Sequence, residues 1–258
     1  MINFEKLHNN LDQFRTEYLS AKPFAYLVID DFCDQEQLLT LYSQIPDLEN
    51  KSRDYMFAKN KFEKSNYGSL GLLFKELHDE LHSDKMNQFL SFISAKDIFV
   101  DPKNFGGGLH QGKSKSRLDM HLDFNYHPLE KNWYREMNLL FYLNKDWRPE
   151  HGGDLIIQDL RTGIRKDLSV PFNRLIIQKC SSYSLHGYDS HNFPEGTYRT
   201  SIATYAYVKH IKQIEVPRTT DWFPDKDTSI VKKFLGKNMK HLVKVKSVLF
   251  GSGTAKNQ

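Results

Sequence analysis

The stretch from residue 96 to residue 208 consists of short strand-like segments separated by turn residues, with no helix-length segment between them. Parallel strands need long, usually helical, crossovers, so this pattern predicts antiparallel strands that close into a sandwich or a barrel. Gly106-Gly107-Gly108, Gly152-Gly153 and Arg161-Thr162-Gly163 mark turns. The predicted strands are Ile98–Val100, Leu109–Gln111, Arg117–Phe124, Met137–Asn144, Asp154–Gln158, Lys166–Val170, Arg174–Lys179, Tyr183–Gly187 and Thr200–Val208.

The residues before this stretch have mostly helical periodicity. A short buried strand is predicted at Phe24–Ile29, and Asp34 is a plausible N-cap for the helix that follows it. Residues 47–68 are polar and show no clear period. The predicted helices are residues 2–19, Gln35–Gln44, Leu70–Leu81 and Lys85–Ile93.

These patterns predict one domain over residues 1–210, with a helical support at about 1–95 and a β core at about 96–210. Residues 211–258 form a basic extension, in which an apolar stripe predicts a helix at about 228–250. The fold class is therefore mainly β, of the α+β type, with supporting helices at both ends of the chain.

Composition excludes several classes of protein. The chain of 258 residues is 39% hydrophobic and 13% aromatic, which supports a packed core and argues against disorder. Two distant cysteines make neither a disulfide framework nor a cysteine zinc site. With no signal-like start and no long apolar run, we expect a cytoplasmic protein without a membrane span. A monomer or homodimer that does not bind nucleic acid is expected, and the basic end is interpreted as a solvated face.

Two potential metal ligands lie two residues apart at the end of a predicted strand. In a strand, residues i and i+2 point to the same face, so His121 and Asp123 project together. An imidazole and a carboxylate are two of the three ligands of an open metal face. A third ligand must come from elsewhere in the chain.

Two later histidines are candidates for that third ligand, since both lie between the last two long apolar strands. His186 belongs to a strand-like segment, where a side chain is held rigidly, whereas His191 belongs to a loop. A ligand is better positioned on a strand, so His186 is favoured and His191 is kept as a minor candidate. Two histidines and one carboxylate form the facial triad of non-haem iron(II) oxygenases, although zinc hydrolases use similar ligands.

An arginine supports the oxygenase interpretation. Arg199 opens a strand that is otherwise apolar or small, and a buried guanidinium needs an anionic partner. Its planar fork matches a carboxylate. A structural ion pair or an outward-facing arginine is the simpler alternative.

Beyond these residues, the chain resembles the Fe(II)/2-oxoglutarate-dependent dioxygenases, and within them the prolyl 4-hydroxylase-like branch. The likeness covers roughly residues 20–210 and includes the opening Pro23-Phe24 to Asp30-Asp31-Phe32. It implies a double-stranded β-helix, or jelly roll, whose helices back one sheet. The matching segments are His121-Leu122-Asp123, Arg135 with Asn138–Trp147, Gly152–Leu155, Pro171–Arg174, His186-Gly187 and Arg199–Ala203.

The resemblance implies that His121, Asp123 and His186 bind Fe(II). It implies that Arg199 holds the C5 carboxylate of 2-oxoglutarate with help from Tyr142, and strand alternation directs Asn138 to the same pocket. The expected reaction uses O2 and converts 2-oxoglutarate to succinate and CO2 while a substrate is hydroxylated. Ascorbate is expected as an additional reductant. Halogenases of this family have Gly or Ala in place of Asp123, so the carboxylate favours hydroxylation.

The substrate is expected to be a prolyl residue, an amino acid or a small metabolite, with no catalytic residue beyond the metal centre. We expect substrate contacts from loops near the iron pair, namely from Arg117, Asn125, Tyr126 and Trp133. Two alternatives stay open. In the first, the chain is a catalytically silent jelly-roll binding module. In the second, which has less support, it is a zinc-type hydrolase.

Overall fold

The computed structural model describes residues 1–48 and 58–223. The helix predicted at about 228–250 lies outside the described residues. Within them, antiparallel strands dominate, as the turn pattern predicts. The strands are β1 Tyr26–Ile29, β2 Ala58–Lys64, β3 Phe99–Val100, β4 Gly108–Leu122, β5 Trp133–Tyr142, β6 Leu155–Asp159, β7 Arg165–Leu168, β8 Arg174–Lys179, β9 Ser184–Tyr188, β10 Arg199–Lys209 and β11 Asp221–Trp222.

These strands form one curled antiparallel sheet in the order β1-β8-β5-β10-β4-β9-β6-β7. β2 and β11 pair with β4, and β3 pairs with β10. The long strand β4 is central, because its first half pairs with β10 and its second half pairs with β9. The curled antiparallel sheet agrees with the predicted jelly roll.

Helices cover one face of this sheet, as predicted. The apolar side chains of the helices pack on those of β1, β8, β5 and β10. No helix in residues 1–48 and 58–223 is both long and apolar enough to span a bilayer. The helices are α1 Phe4–Asn9, α2 Leu11–Ser20, α3 Gln35–Ser43, α4 Leu72–Leu81 and α5 Asp84–Ser94.

The helix boundaries follow local chemistry. The Asp34 side chain accepts a hydrogen bond from the Gln37 amide at 2.9 Å, which confirms the predicted N-cap of α3. The single helix predicted over residues 2–19 is wrong. Asn10 ends α1 because its side chain donates to the Lys6 carbonyl at 2.8 Å, and α2 begins at the next residue.

Three features of the sheet differ from the predicted strands. β4 runs without interruption through residues 112–116, whose polar sequence predicts a break between two strands. β2 lies within the segment 47–68 that shows no period, and β11 falls in the basic extension. Each of these segments is held in extended form by its pairing partner and contributes few apolar side chains of its own, so hydrophobic periodicity could not reveal it.

Alternation along β5 creates the two sides of the domain. Met137, Leu139 and Phe141 pack against the helices. Asn138 and Tyr142, which alternate with them, face the opposite, concave side of the sheet together with Leu140. The concave side contains the candidate site.

Residues 210–223, here called the C-terminal segment, return along the edge of the concave side. The segment ends in β11, in which Trp222 pairs with His121 of β4. The Phe223 amide donates to the Met120 carbonyl at 2.8 Å, which continues this pairing. The start of the predicted extension thus packs against the end of β4, beside the site.

Candidate metal and cosubstrate site

Three side chains converge at the end of β4 and on β9. The potential ligand atoms of His121, Asp123 and His186 all lie within 4.8 Å of one another. His121 Nε2 is 3.7 Å from Asp123 Oδ1, and His186 Nε2 is 3.4 Å from Asp123 Oδ2. The direct pairing of His121 with His186 across the two strands brings the imidazoles together. The arrangement matches the donor set of a facial triad, with one carboxylate and two imidazole nitrogens on one side of an open cavity.

The carboxylate of this cluster is held by two neighbours on β5. Arg135 Nη2 lies 2.9 Å from Asp123 Oδ2, and Asn138 Nδ2 donates to the same oxygen at 2.8 Å. Arg135 Nε in turn donates to Asn138 Oδ1 at 2.8 Å. Asp123 Oδ1 is not used in this network, so the network orients the carboxylate and leaves one oxygen for a cation. Asn138 therefore lines the pocket as predicted but contacts the metal ligand.

Electrostatics keep Asp123 charged. Burial alone would raise the pKa of Asp123, but the Arg135 guanidinium, with smaller contributions from the two imidazoles, holds it well below its ordinary value. Burial, reinforced by His121, lowers the pKa of His186 to about 3. An ionised carboxylate and neutral imidazoles are the protonation states that bind a metal ion.

The His121 ring is fixed from two directions. Its Nδ1 lies 2.9 Å from the Asp119 carbonyl oxygen, so this nitrogen carries the proton and Nε2 presents its lone pair to the cluster. The Trp222 indole stacks on the imidazole, with ring centroids 4.7 Å apart and an interplanar angle of 30°. The C-terminal segment thereby contributes to the candidate metal centre.

Glycine at position 187 permits the approach of β9 to β4. A Cβ atom there would lie 2.6 Å from the Leu118 carbonyl oxygen. Any side chain would therefore push His186 away from His121. The close contact that requires glycine here is therefore with the β4 backbone.

Arg199 lies on another wall of the same cavity. The cavity has an empty volume of about 640 Å³, part of it open to solvent. Arg199 Nε donates to the Gly153 carbonyl at 2.6 Å, and the guanidinium stacks over the Tyr188 ring at 3.9 Å. Its Nη2 is buried and has no hydrogen-bond partner in the described residues. A buried guanidinium with an unused donor fits an anionic ligand.

Tyr142 and Ser201 complete this end of the cavity. Tyr142 is fully buried, and its ring lies 5.1 Å from the Arg199 guanidinium carbon. Ser201 pairs with Tyr142 across β5 and β10 and lies two residues after Arg199, on the same face of β10. Burial raises the pKa of the Tyr142 phenol, with Arg199 opposing the shift, so the hydroxyl stays protonated and can donate to a carboxylate.

Two of the four predicted substrate residues anchor the C-terminal segment. The Asn125 side chain accepts from the Arg218 amide at 2.8 Å, and the Tyr126 hydroxyl accepts from the Ile214 amide at 2.8 Å. Both side chains are buried by this packing. Neither lines the cavity.

The other two also lie away from the cavity wall. Trp133 is the first residue of β5 and packs edge-on against Phe99, with centroids 4.7 Å apart. Arg117 projects from β4 with a half-exposed side chain, 3.7 Å from Asp119. Proximity in sequence to His121 and Asp123 suggested these contacts, but the strand directions carry the side chains elsewhere.

His191, the minor candidate ligand, is buried outside the cluster. Its Nε2 is 2.7 Å from the Ser116 hydroxyl. The residues that sequence reasoning missed are Trp222, whose segment has no strand signal, and Lys61 on β2, which lines the cavity. Both reach the site through pairing with β4, which neither periodicity nor composition indicates.

Replacing Trp222 by alanine is expected to weaken divalent metal binding by about tenfold, since stacking no longer holds the His121 ring in place. Trp222→Phe should retain most of the affinity because a ring remains at the same position. Calorimetric titration with Mn(II) measures both. The adjacent Phe223→Ala serves as the control, and wild-type affinity in Trp222→Ala would contradict the role.

Acid should destabilise the metal-free protein in a defined window. Burial lowers the pKa of His82 and of His191 to about 4, against about 6.5 in an unfolded chain. Their contribution is therefore complete above pH 6.5 and lost as the pH falls towards 4, by about 2 kcal/mol for each histidine at pH 4.5. Urea unfolding at several pH values measures this slope. His191→Gln should reduce it, and an unchanged slope would refute the assignment.

Residues 107–207 match the model of the 2OG-Fe(II) oxygenase superfamily, where 2OG is 2-oxoglutarate. This range contains the metal cluster and Arg199. Curated protein sequences give no match.

Solved structures resemble the whole domain. A prolyl-4-hydroxylase of Pseudomonas putida has a TM-score of 0.56 at 14% identity, covering 78% of this chain and 100% of that one. A prolyl 4-hydroxylase of Phytophthora capsici has a TM-score of 0.54 at 15% identity, covering 96% and 80%. An oxidoreductase of the 2OG-Fe(II) oxygenase family from Burkholderia pseudomallei has a TM-score of 0.51 at 12% identity, covering 78% and 90%. At these identities the likeness concerns the fold.

The curled sheet has the form of a jelly roll, and the His-Asp-His cluster on it is a candidate metal site. Residues 107–207, which contain this cluster, are therefore similar to the 2OG-Fe(II) oxygenase superfamily.

Proposed function

We propose that the protein is an Fe(II)- and 2-oxoglutarate-dependent hydroxylase that acts on an unactivated C–H bond of a prolyl residue, an amino acid or a small metabolite. The observation that carries the proposal is the presence of two sites in one cavity. The triad of His121, Asp123 and His186 and the unsatisfied guanidinium of Arg199 line the same space. A cosubstrate with a chelating group at one end and a carboxylate at the other fits both.

Each residue has a defined task in this proposal. His121, Asp123 and His186 would hold the iron, and Arg199 with Tyr142 would bind the C5 carboxylate of 2-oxoglutarate. When bound, iron and 2-oxoglutarate supply the oxidising chemistry, with release of succinate and CO2. Arg135 and Asn138 keep Asp123 ionised and oriented, which leaves one carboxylate oxygen for the metal.

The remaining walls favour a reaction shielded from water. Leu140 and Leu155 line the cavity with Ala203 and the ring of Tyr205. Arg135 stacks on that ring, with its guanidinium carbon 3.5 Å from the ring centroid, so the aromatic wall and the polar network stabilise each other. Such a wall positions a C–H bond and limits access of solvent.

The alternatives have less support. A silent binding module would not need Asp123 held ionised between an arginine and two neutral imidazoles. A zinc hydrolase would use the triad but leave the buried Arg199 donor without a purpose.

The proposal is tested by measuring succinate from 2-oxoglutarate under air, with Fe(II), ascorbate and a panel of prolyl peptides, amino acids and metabolites. We expect turnover that requires Fe(II) and is stimulated by a substrate, and no turnover with Zn(II). Ascorbate is included as a reductant and omitted in a parallel reaction. Absence of both metal and 2-oxoglutarate binding would favour a binding module. Zinc-dependent hydrolysis unaffected by 2-oxoglutarate would favour a hydrolase.

A further inference from the structure

A second cationic side chain, that of Lys61, lies beside Arg199 in the cavity. In the sheet, Gly112 of β4 pairs with Arg199 of β10 on one side and with Lys61 of β2 on the other. Adjacent strands are about 4.8 Å apart, so the Cα atoms of Lys61 and Arg199 are separated by about 10 Å. Gly112 between them has no side chain, and a Cβ there would lie 2.3 Å from Ser116 Oγ. Lys61 and Arg199 therefore lie on either side of Gly112, with the Ser116 and Tyr188 side chains above the glycine.

The direction of Lys61 follows from its neighbour on β2. Phe62 is buried with the helices on the convex side of the sheet, so Lys61 points to the concave side, where it lines the cavity. Glu63 lies on the same face as Lys61 but is exposed, and the two side chains form no ion pair. Within residues 1–48 and 58–223, the Lys61 ammonium makes no hydrogen bond or salt bridge.

The charges that line the cavity do not balance. Lys61, Arg135 and Arg199 are cationic, while Asp123 is the carboxylate among the lining residues that the structure describes. Arg135 is paired with Asp123. Burial lowers the pKa of Lys61; Arg199 adds to this shift and Glu63 opposes it. Keeping the ammonium charged therefore costs free energy, and a bound anion would offset that cost.

The cosubstrate does not supply that anion. A divalent metal ion and the dianion of 2-oxoglutarate cancel in charge, and the two carboxylates of 2-oxoglutarate are assigned to the metal and to Arg199. The ammonium of Lys61 then remains without a counter-charge in the fully loaded site.

We propose that Lys61 binds an acidic group of the primary substrate, so that this enzyme hydroxylates molecules that carry a carboxylate near the reacting C–H bond. This inference rests on the proposed function and narrows its substrate class from amino acids, prolyl residues and metabolites in general to anionic ones. Lys61 acts as a specificity residue through a charge-assisted hydrogen bond.

The test uses matched pairs of compounds that differ only in an acid against its amide. L-proline with L-prolinamide, N-acetyl-L-proline with its amide, and L-glutamate with L-glutamine form such pairs. Stimulation of succinate formation is measured for the full-length wild type, Lys61→Gln and Lys61→Arg. The Kd of 2-oxoglutarate is measured by calorimetry on the Mn(II) form of each variant, which provides a readout independent of turnover.

We expect acids to stimulate the wild type more than their amides. Lys61→Gln should lower kcat/KM for the acids by roughly 10- to 100-fold, with little effect on the amides, and Lys61→Arg should retain part of the preference. The Kd of 2-oxoglutarate should change by less than about threefold.

Three results would overturn the inference. The first is a wild-type enzyme that does not distinguish acids from amides, and the second is full retention of the preference in Lys61→Gln. A tenfold weaker affinity of Lys61→Gln for 2-oxoglutarate, with the preference intact, would assign the lysine to the cosubstrate. By contrast, wild-type protein that neither binds nor converts 2-oxoglutarate would refute the proposed function itself.

Discussion

Alanine in place of His186 is expected to weaken Fe(II) or Mn(II) binding by at least about 100-fold and to abolish turnover of 2-oxoglutarate. The substitution removes one of the three proposed ligands, whose potential ligand atoms lie within 4.8 Å of one another. A divalent ion held only by His121 and Asp123 loses both an imidazole donor and its fixed orientation. Metal titration by calorimetry measures the loss, and circular dichroism checks that the sheet is intact.

His191→Gln provides the matched control for this experiment. His191 lies five residues further along the chain and is also buried, but it contacts Ser116 outside the cluster. Its replacement should leave the metal affinity within about threefold of the wild type. If His191→Gln abolished metal binding and His186→Ala retained it, the assignment of the third ligand would be reversed.

Arg199→Met is expected to weaken 2-oxoglutarate binding by roughly 100-fold while leaving metal affinity nearly unchanged. The substitution would remove the buried, charge-assisted partner proposed for the C5 carboxylate. Metal affinity should persist because the Arg199 side chain contacts the Gly153 carbonyl and the Tyr188 ring rather than a ligand of the triad. The Kd of 2-oxoglutarate is measured on the Mn(II) form, so that binding is separated from turnover.

Two further variants sharpen the interpretation. Arg199→Lys keeps the charge but loses the planar fork, and its affinity should fall between those of Arg199→Met and the wild type. Arg165→Met removes an arginine that pairs with Asp167 on the surface and should have no effect. Unchanged affinity in Arg199→Met would show that the carboxylate binds elsewhere in the cavity.

Much of the site could be predicted from the sequence because its chemistry is local. His121 and Asp123 are two residues apart, and strand alternation places both on one side of β4. The same rule directs Asn138 and Tyr142 of β5 to the concave face, where the structure places them. His186 and Arg199 each belong to a strand whose direction is set by alternation with apolar neighbours.

The predicted substrate residues lie outside the lining of the described cavity, and the reason is physical. Asn125, Tyr126 and Trp133 follow the metal pair in sequence, but their side chains are engaged by the C-terminal segment and by Phe99. The direction of a loop side chain depends on partners that are distant in the chain. No local pattern encodes those partners.

The sequence by itself determined the class of fold, the side-chain types of the candidate metal ligands, and Arg199 as the candidate partner of a carboxylate. These depend on periodicity and on the chemistry of single side chains. Only the tertiary structure decided that β2 and β11 flank β4, which brings Lys61 beside Arg199 and Trp222 onto His121. Strand pairing is a long-range interaction whose hydrogen bonds are made by the backbone, so two polar, aperiodic segments can be strands without showing it in their own residues.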